Sequence, residues 1–218
     1  MPWPMVHFAV SYQLYSGKPT PHLLLGSIAP DSLHARGQTT REEKGRTHLV
    51  QNDQLASPAL IMQTLQSYLD ERPQVEWKDY IVGYFTHIYT DMKWTHNLYE
   101  EYKEQYHGED IRYSYHQEAA QLEFELQRIV QEQRDDPVSM LLQAEGYAVE
   151  PLVTASEVTK YRDMKIEWLN DAANEPHIVP IYFTLERVEE FVRVTSAELQ
   201  KLFKQHDIEQ LLQPIKIN

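Results

Sequence analysis

The chain has 218 residues, of which 42% are hydrophobic and 24% are charged, and it contains no cysteine. This size and balance predict a single globular domain over residues 1–218 and exclude disulfide crosslinks and thiolate metal sites. The net charge of −13 argues against binding to nucleic acid or to an anionic lipid surface. No apolar run reaches the length of a membrane span and no secretory signal opens the sequence, so we expect a cytoplasmic protein.

Helix-forming residues dominate a sequence that has only seven glycines, which predicts an all-α fold. A short helix is expected over 5–15, and an apolar run, LLLGSIAPD, ends near Pro30. The polar stretch 36–47 contains two glycines and is expected to be an exposed loop. Ser57-Pro58 predicts a helix start, because serine caps a helix and proline fits its first position.

Five further helices are expected from apolar spacing and capping residues: 75–105 with a break near Thr95, 111–134, a short helix after Asp136-Pro137, a helix from the Thr154–Glu157 capping box to about Asn170, and 184–204. The segment HIVPIYFTL before the last helix is ambiguous between helix and strand. No internal repeat is present. The predicted architecture is therefore a multi-helix bundle.

Histidine is concentrated in one half of the chain, since eight of the ten histidines lie at or before position 116. Because imidazole binds metals and exchanges protons near neutral pH, we expect the chemistry in this half. His87 and Asp91, in GYFTHIYTDMKWTHN, are four residues apart on a predicted helix. That spacing places both side chains on one face, where both can reach one cation. An ordinary surface His–Asp pair is the alternative.

A second group of candidates lies around the apolar run, where LLLGSIAPDSLHAR brings Asp31 and His34 to a turn. Asp31 could instead serve only as a helix cap, and His7, in an apolar helix, could be a core residue. His48 follows the polar stretch, whose arginines could hold a substrate phosphate by paired hydrogen bonds. These candidate phosphate-binding residues are Arg36, Arg41 and Arg46. A merely solvated basic loop is the alternative.

Together these segments resemble the zinc-dependent phospholipase C family, which includes single-strand-specific nucleases and the catalytic domain of glycosyl-phosphatidylinositol phospholipase D. The resemblance rests on PWPMVHFAV, on LLLGSIAPDSLHAR with a histidine in the following RTHL, and on the H-x-x-x-D of HIYTDMKW, and covers roughly residues 3–100. It implies an all-α fold of that type with a buried metal centre that hydrolyses phosphate esters. The ligands that it implies are His7, Asp31, His48, His87 and Asp91, with Asp91 bridging two ions.

The sequence departs from the family pattern in the groups around further metals. In the family the amino terminus of a processed chain, at a tryptophan, binds metal, whereas Trp3 here follows Met1-Pro2. The family's H-x-x-x-E is also incomplete, because Ala120 stands four residues after His116. We therefore expect one or two divalent ions, zinc first and iron, manganese or nickel as alternatives, since nitrogen and oxygen ligands suit all of them. Three histidines are candidates for an additional ligand or for a hydrogen-bond partner of a ligand: His34, His96 and His116.

The expected function is hydrolysis of a small phosphate ester, because a bound divalent ion makes hydroxide available near neutral pH. Asp31 and Asp91 are the candidate catalytic residues, with Asp31 taking the proton of the attacking water. The main alternative is a non-catalytic metal-binding or interaction protein on the same helical scaffold. An HD-type phosphohydrolase is a weaker alternative, because its His-Asp dipeptide occurs only at His206-Asp207, with no aspartate after it.

Overall fold

Helices make up most of the protein in a computed structural model, which describes residues 2–16, 18–133 and 136–208. The α-helices in these ranges are α1 (Pro4–Leu14), α2 (Pro21–Gly26), α3 (Arg41–Thr47), α4 (Pro58–Leu69), α5 (Val75–Trp94), α6 (Glu100–Gln105), α7 (Ile111–Gln133), α8 (Pro137–Leu141), α9 (Ala155–Asn170) and α10 (Leu185–Gln205). Two 3-10 helices, Ala29–Arg36 and Ala172–Asn174, lie between them. No strand occurs among the described residues, which confirms the all-α prediction.

Three helices start at the capping signals that the sequence carries. The Ser57 hydroxyl accepts a hydrogen bond from the N–H of Leu60 at the start of α4. Thr154 and Glu157 form a reciprocal capping box at the start of α9, and the Asp136 carboxylate caps α8. These side chains satisfy N–H groups that have no partner within the helix, so the predicted starts are confirmed.

The prediction of an exposed loop over 36–47 is wrong, because most of this stretch is helical. Thr40 Oγ1 accepts from the N–H of Glu43 at 3.1 Å, and the Glu43 carboxylate accepts from the N–H of Thr40 at 2.8 Å. This capping box starts α3 and outweighs the cost of Gly45 inside the helix, about 1 kcal/mol. The ambiguous segment 177–185 is irregular up to Thr184, and the Glu118 carboxylate accepts backbone N–H groups within it.

Helix α5 lies at the centre of the molecule. It contacts α1, α2, α4 and α10, and nearly all of its side chains between Trp77 and Trp94 are buried. The break expected near Thr95 is a π-helical turn, Thr95–Tyr99, that leads directly into α6. A helix buried on all sides holds its side chains rigidly, which suits it to carry a functional site. None of the described helices is both long enough and apolar enough to cross a membrane.

Two glycines allow α2 and α5 to approach at backbone distance. A Cβ added to Gly26 would overlap the carbonyl group of Tyr80, and a Cβ added to Gly83 would overlap the carbonyl oxygen of Leu23. No other residue type fits at these positions without moving a helix. The contact places the end of α2, and with it Ser27, against the middle of α5.

Candidate metal centre

Helix α5 carries His87 and Asp91 into the protein core, where both side chains are buried. Since they are separated by about one helical turn, they share a face, and His87 Nε2 lies 3.5 Å from Asp91 Oδ2. Burial of both groups rules out the ordinary surface pair as an account of this spacing.

The ring of His87 is held by a hydrogen bond from its other nitrogen. His87 Nδ1 donates to the carbonyl oxygen of Ser27 at 2.8 Å. A carbonyl oxygen only accepts, so Nδ1 carries a proton, and Nε2 is the ring nitrogen that faces Asp91. Metal-binding histidines commonly have such a backbone partner, because it sets the tautomer and the ring orientation.

Helix α1 places His7 on the other side of Asp91. His7 Nε2 lies 3.6 Å from Asp91 Oδ1, and the His7 ring stacks on His87 with centroids 3.9 Å apart. Burial, and after it the neighbouring His87, lowers the pKa of His7 to about 3, so the ring is neutral. Neither ring nitrogen has a hydrogen-bond partner. Because leaving buried polar atoms unpaired is costly, this histidine has the environment of a ligand.

His48 directly follows α3 and is buried. Its Nδ1 lies 3.0 Å from the carbonyl oxygen of Lys44 and 2.9 Å from Thr47 Oγ1. The Thr47 hydroxyl itself donates to the same carbonyl, so Nδ1 of His48 is the donor in this group. Its Nε2 therefore points into the cluster, 3.2 Å from His87 Nε2 and 3.2 Å from Asp91 Oδ2.

Asp31 enters from the 3-10 helix Ala29–Arg36. Its Oδ1 lies 3.4 Å from His48 Nε2 and 3.2 Å from Lys44 Nζ. The residue at the cap of this helix is Ile28, and no side chain caps it. Asp31 is thus directed toward the histidines and does not act as the helix cap that the sequence also allowed.

The ligand atoms form two overlapping groups of three, one with His7, His87 and Asp91 and one with Asp31, His48 and His87. Within each group the atoms lie within 4.8 Å of one another. Both Asp91 oxygens and Asp31 Oδ1 are buried without a hydrogen bond. These buried groups could hold a metal ion, since a cation bound in either group would satisfy the unpaired atoms that face it.

The charges in the cluster depend on one another. Burial raises the pKa of Asp91, but the nearby His87 and His48 outweigh it and hold that pKa well below its usual range. For Asp31, Lys44 and His48 outweigh burial and likewise lower the pKa. Burial lowers the pKa of His48, but the close approach of its Nε2 to the two carboxylates and their negative charges raise it to about 9. Without a metal ion, a proton on His48 therefore supplies part of the positive charge that both carboxylates require.

A cavity of about 860 Å³ connects this cluster to the surface and is lined at its inner end by His48 and Asp91. Helix α3 and the segment 50–56 form one wall, and Ile88 and Met92 of α5 form an apolar wall. The volume is within the range of small-molecule sites, about 300–1,000 Å³.

The additional candidate histidines lie outside the two groups. His34 is 41% exposed, with Nε2 3.8 Å from Asp31 Oδ1, and so lies beside the cluster. His96 is exposed and pairs with Glu100. His116 is exposed and packs near the ring of Trp3 at 6.2 Å. The structure therefore does not bring His96 and His116 to the other candidate ligands.

The three candidate phosphate-binding arginines take different positions. Arg36 Nε donates to the Glu157 carboxylate at 2.6 Å and joins the 3-10 helix to α9. Arg41 and Arg46 line the outer part of the large cavity, where their side chains are 88% and 66% exposed and each lies beside an acidic side chain. None of the three contacts the clustered side chains directly.

Sequence reasoning missed Lys44, whose ammonium group pairs with Asp31. The residue stood in the stretch expected to be a loop. Recognising the Thr40–Glu43 capping box would have placed Lys44 one helical turn before His48 and indicated that both face the same way.

The His206-Asp207 dipeptide follows α10 and contacts α4, where Gln66 donates to the carbonyl oxygen of His206. Among the described residues it belongs to neither group with metal-ligand spacing.

Comparison of the chain with protein-family models, with curated proteins and with solved structures finds no match.

Proposed function

We propose that this protein is a metal-dependent hydrolase of phosphate esters, of the zinc-dependent phospholipase C type that its sequence resembles. The observation that carries the proposal is the buried cluster of three histidines and two aspartates with unpaired ligand atoms, which a large cavity reaches at His48 and Asp91. Nitrogen and carboxylate ligands without sulfur suit zinc, and also iron, manganese or nickel. A bound ion of this kind lowers the pKa of water to about 7 and polarises phosphate oxygens.

The ligands divide naturally between two positions around Asp91. Its Oδ1 faces His7, and its Oδ2 faces His48 and His87. His87 can ligate only through Nε2, because Nδ1 donates to Ser27. Asp31, His48, His87 and Asp91 Oδ2 would therefore hold the first ion, and His7 with Asp91 Oδ1 would hold a second, weaker one.

The two carboxylates take different roles in this proposal. The side chain of Asp31 is 13% exposed and that of Asp91 is 3% exposed, so Asp31 is the carboxylate that water reaches. Asp31 accepts the proton of the attacking water, and Lys44, 3.2 Å from its Oδ1, holds it in place. Asp91, at the centre of the histidines, only binds metal. Access through the cavity favours catalysis over a purely structural metal, which proteins normally enclose with their own ligands.

The test is the metal content and the phosphoesterase activity of protein purified without a histidine tag. We expect one or two equivalents of a transition metal, measured by elemental mass spectrometry, and hydrolysis in a screen of phosphate esters. Asp91→Ala should lose both, whereas Asp70→Ala, at the exposed end of α4, should keep both. Full metal content and activity in Asp91→Ala, or a wild type that takes up none of zinc, iron, manganese and nickel, would overturn the proposal.

A further inference from the structure

A second cavity, of about 290 Å³, reaches the metal cluster at Asp31. Its walls are aromatic and basic: Trp3, Tyr115, Tyr161, His34, His116, Lys44 and Lys165. Lys44 lines both this cavity and the larger one. Among the described residues that line it, Asp31 is the one acidic side chain. A basic cavity is unusual in a protein whose net charge is −13.

Lys165, on α9, is the second ammonium group of this cavity. Its Nζ lies 5.0 Å from the centroid of the Trp3 ring and 5.4 Å from that of Tyr161. In the described part of the chain it forms no ion pair and no hydrogen bond. Glu123 lies near enough to interact electrostatically, but its carboxylate accepts the N–H of Met5 at 3.0 and 3.2 Å. The ammonium group is thus held by two aromatic faces and retains its hydrogen-bond donors.

Other donors face the same space. Lys44 Nζ, 3.2 Å from Asp31 Oδ1, also lies 3.5 Å from His34 Nε2. The Tyr161 hydroxyl makes no hydrogen bond to a described residue, and burial raises its pKa well above the usual range, so it remains an O–H donor. Two ammonium groups and a phenol around a small cavity are suited to an oxyanion, because charge-assisted hydrogen bonds are the strongest that side chains form.

We propose that this cavity binds a phosphate group beside Asp31, with Lys44 and Lys165 supplying the positive charge and Tyr161 a hydrogen bond. The two ammonium groups and the ionised Asp31 carboxylate, whose pKa is held well below its usual range, leave the cavity with one net positive charge, which a singly charged phosphate balances. The volume of about 290 Å³ accommodates a phosphate with a short substituent. The inference rests on the proposed function, because it assigns a position to the phosphate of that substrate or of its product.

The experiment is calorimetric titration of inorganic phosphate into the metal-free and the zinc-loaded protein. Lys165→Met removes the charge and keeps an apolar side chain against Trp3 and Tyr161. Lys201→Met, on the exposed face of α10, is the matched control. A parallel titration with phenylphosphonate, which cannot be hydrolysed, distinguishes free phosphate from a phosphate group that carries a substituent.

We expect Lys165→Met to bind phosphate at least tenfold more weakly than wild type in both forms, with unchanged zinc content and an unchanged circular dichroism spectrum. Lys201→Met and Lys165→Arg should bind phosphate as wild type does. Equal phosphate affinity in Lys165→Met and wild type, or no phosphate binding by wild type in either form, would overturn the assignment. Because zinc content is measured separately, failure of the metal centre would be recognised independently of this result.

Discussion

Replacing Gly83 with alanine should push α2 away from α5 and weaken the hydrogen bond that orients His87. The added Cβ would overlap the carbonyl oxygen of Leu23 and lie 2.9 Å from the backbone nitrogen of Ser27. Both are backbone atoms, so no side-chain rotation can relieve the contact. The carbonyl of Ser27, which accepts from His87 Nδ1 at 2.8 Å, belongs to the segment that must move.

The size of the effect follows from two opposing contributions. Overpacking a core costs about 1–3 kcal/mol, and a clash between two backbones is at the upper end of that range. Alanine in place of glycine favours the helix by about 1 kcal/mol, which leaves a net loss of about 2 kcal/mol. For a chain of this length that corresponds to a fall in Tm of about 4–8 °C. Loss of a partner to a metal-binding histidine lowers metal affinity about 10–100-fold.

Thermal unfolding and zinc titration of the Gly83→Ala variant measure both effects. Gly45→Ala is the matched control, because its Cβ would make an ordinary contact at 3.4 Å with Val50 Cβ. That variant should be as stable as wild type or slightly more stable. A Tm of Gly83→Ala within 2 °C of wild type, roughly 1 kcal/mol or less, together with unchanged zinc affinity would refute the reasoning.

Three further predictions concern titration and surface contacts. Burial raises the pKa of Asp79 to about 6 and outweighs the hydrogen bond from Thr20, which lowers it. Folded protein therefore binds a proton more tightly than unfolded protein, and stability falls as pH rises from about 4 to 6. Over that pH range the free energy of unfolding of Asp79→Asn, measured in urea, should therefore fall by about 2 kcal/mol less than that of wild type. An equal pH dependence of the two proteins would contradict this. Since the pKa of His48 is raised to about 9, zinc binding at pH 7 should release a proton, and the zinc affinity should rise about tenfold per pH unit between 6 and 8. Calorimetry in buffers of different ionisation enthalpy measures the proton release, and its absence would exclude this prediction. Arg36→Met should lower stability by about 1 kcal/mol, because the ion pair with Glu157 is partly exposed, and should leave KM unchanged; a raised KM would instead place Arg36 in the substrate site.

Much of the helical architecture was predictable because its signals are local. Ser57-Pro58 and the Thr154–Glu157 pair act through hydrogen bonds within one helical turn, so their effect does not depend on the rest of the chain. The same kind of signal at Thr40 and Glu43 starts α3, so this helix is also encoded locally even though the two glycines and the polar composition of 36–47 are typical of a loop. Helical periodicity also predicted that His87 and Asp91 share a face.

The assembly of the candidate site was not predictable from such local patterns. His7, Asp31 and His48 come from three separate helical segments, and only the resemblance to a known family indicated that they meet. Nothing in the spacing of Lys165 connects it with Lys44, because α9 and α3 lie far apart in the chain and both pack on the 3-10 helix Ala29–Arg36.

The sequence by itself determined the helices, their starts and the shared face of His87 and Asp91, because each depends on contacts within a few residues. Only the tertiary structure decided which histidines join that face and which remain at the surface. His7 and His48 are buried with their Nε2 atoms near Asp91, whereas His96, two residues after the end of α5, lies exposed. The physical reason is that neighbouring helices cover the face of α5 that carries His87 and Asp91, whereas His96 lies on the outward side of the next turn, on which Leu98 is buried. Burial and not residue type therefore selects the candidate ligands.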